Sequence, residues 1–335
     1  MPPLVSICCV TYNHAGTIAE TLEGFLAQQA DVSVEILVHD DASDDGTEAI
    51  LRDYAQRYPD VVKPLFETEN QYRKGTAMDA TFNFPRVTGA YIALCEGDDL
   101  WVDPHKLRRQ IDCLNAHPGC TFCFTNGTVR DGGGRIPDRP FIPFYPEEAA
   151  HYAPETREYD LGALTRLTFI PTASFLFPRE ALTRIPRDLL LAPCPTGDLR
   201  LKLLLTAAGR AVYLHAFTCV YRQNAASSVM ARWGAEPPAK TRERCRQVIA
   251  MLENVDAFSH RRWHADVRRL MDVQLRVWIE AAPTHALLAS PDARRVLRSM
   301  PPARRLKARL KATLPEALFR RIRAWFRRNS PSASR

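Results

Sequence analysis

The sequence predicts an α/β fold, a mostly parallel sheet flanked by helices on both faces. Three observations predict it. Short apolar runs rich in β-branched residues recur along the first half of the chain and read as buried strands. Helical patterns alternate with them, which is the order a parallel sheet needs for its crossovers. The runs end in polar or acidic loops, TYN, HDDASDD and EGDD, and in such sheets ligands bind beyond the carboxyl ends of the strands.

The elements follow in order. Residues 4–10 (LVSICCV) form the first strand and break into TYNHAG. Thr17 and Glu20 make a capping-box pattern, opening a helix whose apolar face is Ile18, Leu22, Phe25 and Leu26. Residues 34–38 are the second strand, 47–57 a helix, 61–66 the third strand, 75–84 a further helix and 91–95 the fourth strand. Asp103-Pro104 carries the cap-plus-proline signature of a new helix. Residues 121–129 alternate as a fifth strand and stop at Gly132-Gly133-Gly134. The proline-rich stretch 135–158 reads as a long loop, 169–177 as a strand, and 198–208 as a helix closed by Gly209. Strands at 211–214 and 217–221 follow, and from Pro237 the chain is helical and increasingly basic.

Composition narrows the function classes. The chain has 335 residues, 46% hydrophobic and 25% charged, enough for a sizeable core. The net charge of +7 is concentrated at one end: residues 291–335 hold 14 Lys and Arg against 2 acidic residues, so the body is slightly acidic. That is not the footprint of a nucleic-acid-binding domain, which spreads basic residues over a folded face. Nine cysteines, an odd number, with Cys8 and Cys9 adjacent in an apolar run, argue against a disulfide framework and fit a reducing cytoplasm. Cys113, His117, Cys120 and Cys123 have a spacing that zinc can use, but they read as small buried side chains at a helix end and between Phe122 and Phe124. The N-terminus lacks signal-peptide features, and no apolar stretch approaches the ~18 residues of a spanning helix.

The carboxylates carry the chemistry. Glu96-Gly97-Asp98-Asp99 places three acids at a strand end, where a hard divalent ion such as Mg²⁺ or Mn²⁺ offsets their repulsion and takes one or two of them as ligands beside substrate phosphates. Asp40 and Asp41 end the second strand, where an acid accepts hydrogen bonds from a ribose or a base, or else caps a turn with Ser43 and Asp44. Gly197-Asp198 opens a helix, and Asp198 reads as an N-cap, as a functional acid, or as both.

VSICCVTYNHAGTIAETLEGFLAQ, VEILVHDDASDDGT and GAYIALCEGDDLWVDPHKL together resemble family 2 glycosyltransferases of the GT-A fold. The likeness runs over residues 4–222. PTASFLF, TGDLRLKLLLTAAGRAVYL and Tyr221-Arg222 are similar to the family's acceptor-side elements. The resemblance implies a transferase domain over 1–235, with a nucleotide-binding half 1–130 and an acceptor half 131–235, followed by a helical region 236–335. It implies inverting transfer of a sugar from a nucleotide-sugar donor to a carbohydrate or lipid-linked acceptor. Thr11, Tyr12, Asn13, Asp40 and Asp41 would line the nucleoside pocket. Asp98 would touch the ribose or the metal-bound diphosphate, Asp99 would be the chief ligand of Mn²⁺ or Mg²⁺, Asp198 the general base, and Arg222 would lie near the diphosphate. The family often has a His shortly after that Tyr-Arg pair; here Asn224 stands.

The rival readings are weaker. A sugar nucleotidyltransferase usually carries a glycine- and basic-rich loop after the first strand, and VTYNHAG has one glycine and no Lys or Arg; a dinucleotide-dependent dehydrogenase is weaker still, because no G-x-G-x-x-G follows any strand. A non-catalytic nucleotide- or carbohydrate-binding relative would tolerate loss of the acids, yet Asp41, Asp98, Asp99 and Asp198 are present. The segment PEALFRRIRAWFRR at 315–328 repeats apolar residues at helical spacing among arginines, as a peripheral contact with an anionic membrane requires.

Overall fold

The computed structural model describes residues 4–29, 32–132, 137–223, Trp233 and 236–313. The basic segment from Pro315 and the position of Asn224 lie outside the described residues.

The sheet holds β1 Leu4–Thr11, β2 Ser33–Asp40, β3 Val62–Phe66, β4 Tyr91–Leu94, β5 Leu100–Trp101, β6 Cys120–Asp131, β7 Arg139–Pro140, β8 Arg157–Tyr159, β9 Leu176–Pro178 and β10 Arg210–Gln223. Its order is β3-β2-β1-β4-β9-β6-β10-β5, with β7 on β6 and β8 on β10. The first four strands in that order are parallel, as are β6 and β10. The short β9 runs antiparallel between the two blocks, and β5 runs antiparallel to β10. The sheet is therefore mixed, and its strand order reverses direction beside β4, where the acidic loop leaves.

Side-chain alternation along the strands builds two cores. Cys8, Leu37, Phe122 and Phe124 face one side; Ile7, Cys9, Val38 and Cys123 face the other. The second side is covered by α1 Ile18–Leu26, α2 Thr47–Arg57 and α3 Lys106–Ala116 through Ile18, Leu22, Phe25, Leu51, Leu107 and Ile111. The first side is covered by α4 Leu161–Leu164, α5 Arg179–Thr183, α6 Arg187–Leu191, α7 Gly197–Ala207 and α8 Pro238–Phe258. Val248, Leu252 and Val255 of α8, with Val267 of α9 His264–Ala281, belong to this same core. Helices α10 His285–Ala289, α11 Pro291–Ser299 and α12 Pro302–Thr313 build a smaller core with Leu275 and Ile279 of α9. Among the described residues no helix is long and apolar enough to cross a membrane.

Several expectations change. Residues 75–84 form a π-turn, Asp79–Asn83, then a 3₁₀ turn, Phe84–Arg86, because Pro85 has no N–H to continue a helix. Of the strand expected at 169–177 only residues 176 and 177 enter β9; Thr172–Ser174 form a 3₁₀ turn begun by Pro171, and the remainder is irregular. The two strands expected at 211–221 are one, β10, whose register shifts around His215-Ala216 absorb the interruption. The cysteines are free thiols, and burial pushes Cys8 and Cys9 well above the usual thiol range. Among the described residues no group of three or more His, Cys, Asp or Glu side chains is placed to hold a metal ion. His117 Nδ1 instead bonds the Cys113 carbonyl at 2.7 Å.

Candidate active site

The register pairs Thr11 with Asp40 and Cys8 with Leu94, so β1, β2 and β4 end on one edge of the sheet. The loops beyond them are laced together. Asn13 and Ala42 adopt positive φ, 57° and 63°, and turn the chain sharply after β1 and β2. The Asn13 N–H donates to Ser43 Oγ at 2.9 Å, its amide donates to Asp44 Oδ1 at 2.8 Å, and Asp44 N–H returns a bond at 2.9 Å. The Asn13 side chain thus ties the two loops together through its oxygen and one N–H of its amide. Asp40 is 1% exposed; burial raises its pKa, and Ser43 Oγ donates to it. Asp41 accepts the Gln71 N–H at 2.6 Å and the Tyr72 N–H at 3.1 Å, so it anchors the turn at 70–72. That turn carries Arg73, whose guanidinium donates to Tyr12 Oη at 3.3 Å and lies 5.7 Å from the ring centroid. Thr11 Oγ1 is 3.2 Å from His14 Nδ1. Every residue expected at the nucleoside pocket lies on this edge, and Arg73 joins them.

The acidic loop between β4 and β5 is held by its backbone carbonyls. Thr17 Oγ1 donates to Gly97 O at 3.0 Å. Thr21 Oγ1 donates to Gly97 O at 3.1 Å and to Asp99 O at 2.6 Å. Arg222 Nη1 donates to Asp98 O at 2.6 Å. A Cβ at position 97 would stand 2.5 Å from Thr11 Oγ1, so the loop packs onto β1 at the closeness that glycine permits. These contacts correct the expected capping box: Thr17 makes no side-chain cap, and Glu20 pairs with Arg222. The pull of the loop carbonyls wins over the helix end. Arg222 lies against the acidic loop: its guanidinium is engaged by Asp98 O and Glu20, while its backbone N–H donates to Asp99 Oδ1 at 3.3 Å.

With the carbonyls held, the carboxylates of the loop stand in one another's field. Asp99 is 1% exposed, and its Oδ2 is buried with no hydrogen-bond partner among the described residues. Burial and then the charge of Asp98 push its carboxyl well above the usual range. Asp98 Oδ2 lies 3.7 Å from His14 Nε2. Glu96 is exposed to solvent and stands in the fields of Asp99, Asp98, Asp198 and Asp79. A divalent cation reverses this cost, and the partnerless buried oxygen of Asp99 suits it as a ligand. Asp98 and Asp99 fit an ion that completes its shell with phosphate oxygens and water.

Asp198 joins the cluster from another element. The N-cap of α7 is Thr196, so Asp198 stands inside the first turn, half-buried, and is not the cap. Its charge reaches Glu96, Tyr221 and Lys202. Asp79 was not legible as a member. It sits on the π-turn, accepts from Asn83 Nδ2 at 2.9 Å, and is pushed up to about 6 by burial. Single π-turns occur often at functional sites, but a sequence pattern does not reveal them.

A sheet that binds at its reversal point, with an acidic loop there and a second acid brought in by a later helix, is the frame of GT-A enzymes. The mannosyltransferase PcManGT from Pyrobaculum calidifontis, solved with GDP-Man and Mn²⁺, shares this fold with a TM-score of 0.54 at 20% identity, over 97% of this chain and 83% of that one. Residues 6–185 match glycosyl transferase family 2, and the chain belongs to that family. Among its relatives, "Uncharacterized protein Rv1520" of Mycobacterium tuberculosis is 34% identical over 179 residues, 52% of this chain and 47% of that protein. The "Putative teichuronic acid biosynthesis glycosyltransferase TuaG" of Bacillus subtilis is 30% identical over 183 residues, 55% of this chain and 65% of that one. The chain spans about half the length of the curated relatives it matches.

Proposed function

We propose that this protein is an inverting glycosyltransferase that moves a sugar from a nucleoside-diphosphate donor to an acceptor hydroxyl, with Asp99 and Asp98 holding Mn²⁺ or Mg²⁺. The observation that carries this reading is the acidic loop itself: Asp99 keeps a buried carboxylate oxygen with no hydrogen-bond partner among the described residues, beside Asp98, while Glu96 stands in the field of Asp198 from a distant stretch of chain. The relative solved with a nucleotide sugar and Mn²⁺ supports it.

Direct displacement at an anomeric carbon sets three tasks. The acceptor hydroxyl gives up its proton as its oxygen bonds to the carbon; Asp198 takes that proton, a contribution of ~10²–10⁴-fold. The bond to the diphosphate oxygen breaks, and its electron pair leaves with the diphosphate. A bound divalent ion supplies the neutralisation of that leaving group. Tyr12, Asp41 and Arg73 hold the nucleoside end, and the shared cleft keeps donor and acceptor in line. Likeness to TuaG favours a surface-polysaccharide or glycolipid acceptor.

The basic C-terminal end completes the proposal as a reversible contact with an anionic membrane. In α12, Leu306 and Leu310 are exposed on a helix that carries Arg304, Arg305, Lys307, Arg309 and Lys311 and no acid. Flotation with anionic liposomes should retain the full chain at low salt and release it at high salt. Binding that ignores salt contradicts this part.

The donor reading is tested by thermal shift with UDP-, GDP- and dTDP-sugars, with Mn²⁺ and with EDTA. A ligand bound by the native state alone raises Tm, and the rise should require the metal. No shift with any donor contradicts the proposal.

A further inference from the structure

From the carboxylate cluster a row of aromatic rings leads outward. Tyr221 precedes Arg222, the residue whose N–H bonds Asp99, and Tyr221 stands in the field of Asp99, Glu96, Asp98 and Asp198. Phe141 meets the Tyr221 ring edge-on, with centroids 5.2 Å apart. Phe144 follows at 5.3 Å from Phe141, and Phe169 lies 4.7 Å from Phe144. Tyr145 ends the row, 5.1 Å from Phe144, and is 39% exposed.

The outer rings are held as a unit. Glu148 is 3% exposed, and its carboxylate accepts the N–H groups of Phe144 at 3.0 Å, Tyr145 at 3.4 Å and Thr168 at 2.7 Å. Lys202 Nζ, on α7 one turn beyond Asp198, donates to Leu167 O at 3.2 Å and Thr168 O at 2.8 Å. Lys202 is 2% exposed. The helix that carries the candidate base therefore also grips the segment bearing Phe169, and Glu148 ties that segment to Phe144 and Tyr145. A buried carboxylate with three backbone donors is costly to dislodge, so the platform is pre-organised.

We propose that this row is the docking surface for a carbohydrate acceptor, with Tyr145 as its outer platform and Phe144 and Phe169 beside it. The inference rests on the transferase reading and adds the chemical class of the second substrate. A pyranose has an apolar face of polarised C–H bonds, which lies well on the negative face of an aromatic ring, and hydroxyl edges that want polar neighbours. The surroundings supply both: the Arg139 guanidinium lies 5.3 Å from the Phe144 centroid, and Glu147 is exposed next to Tyr145. An acyl chain has no use for such charges. Lys202, one turn beyond Asp198 on α7, ties this platform to the helix of the candidate base and argues for the acceptor rather than an unrelated ligand.

The test uses the full chain and three probes, maltohexaose, cellohexaose and chitohexaose, followed by saturation-transfer NMR. Ring stacking is tolerant of sugar identity, so at least one probe should bind the wild type, with saturation strongest at ring C–H protons. Tyr145→Ala should weaken that binding roughly 3- to 10-fold, as expected for loss of one aromatic face. Tyr145→Trp should restore it and Tyr145→Leu should not, which separates a π face from mere apolarity. Failure of all three probes on the wild type, equal binding by Tyr145→Leu, or binding of dodecyl maltoside through its alkyl chain without binding of maltohexaose would each overturn the proposal. Metal-dependent nucleotide-sugar binding is measured on the same sample, so failure of the transferase reading shows separately.

Discussion

Replacing Thr21 by Val tests how the acidic loop between β4 and β5 is held. The two side chains have nearly the same shape, so packing against α1 is kept while the hydroxyl is lost. Thr21 is fully buried, and its Oγ1 serves both Gly97 O and Asp99 O. Gly97 O keeps its bond from Thr17, whereas Asp99 O loses the 2.6 Å bond. An acceptor left buried and unsatisfied costs ~1–3 kcal/mol. Thermal and urea unfolding should show a loss of that size, with the urea slope unchanged, because the folded and unfolded surfaces are nearly the same. The same loss should appear in Mn²⁺-dependent donor affinity, since the freed carbonyl belongs to Asp99, the proposed ligand of the ion. Thr17→Val is the matched comparison: the single Thr21 hydroxyl hydrogen stays with Asp99 O, so Gly97 O loses its donor and stability falls by up to ~1–3 kcal/mol, but Mn²⁺-dependent donor affinity should fall less than in Thr21→Val. Equal stability and equal donor affinity in wild type and Thr21→Val would refute the claim that α1 positions the loop.

Asp198→Asn keeps the size of the side chain but cannot take a proton. Turnover should fall roughly a hundredfold or more while donor affinity, read by calorimetry, stays near normal; lost stability with normal turnover per folded molecule would make Asp198 structural. Asp79 predicts a pH dependence. Its folded pKa is raised from 3.8 to about 6, so the native state binds more protons than the unfolded chain, and its contribution to stability is lost as pH rises from ~4 to ~6. Asp79→Asn should remove that fall and leave the protein more stable at pH 7, by ~1–3 kcal/mol; an unchanged pH profile of unfolding would contradict the burial argument.

The strands and loops of the nucleotide half were legible because each signal is local. The apolar runs at 4–10 and 34–38 end in loops whose turn residues announce themselves, and the structure brings those loops to one edge. What stayed hidden depends on contacts distant in sequence. Thr17 and Glu20 satisfy a capping-box spacing, but Gly97 O and Arg222 compete for their side chains and win. Asp198 reads as a cap until Thr196 takes that place. Asp79 looks like one more helical acid, and only the π-turn and the closing of β4 against β1 bring it toward Glu96. The mixed direction of the sheet also escaped, because β9 is too short for an alternating pattern. Glu148 and Lys202, both buried and charged, carry no local signature: their partners are backbone groups at Phe144, Tyr145, Leu167 and Thr168.

The central claim is that Asp99 holds a divalent ion that the donor needs. Calorimetric titration of wild type and Asp99→Ala with the nucleotide sugar that gives the largest thermal shift tests it most directly, each in Mn²⁺ and in EDTA. The account predicts that donor binding by the wild type depends on the metal and is lost in EDTA, and that Asp99→Ala binds weakly in both conditions while remaining folded. Equal donor affinity for the wild type with and without metal, or metal-dependent affinity undiminished in Asp99→Ala, would contradict it.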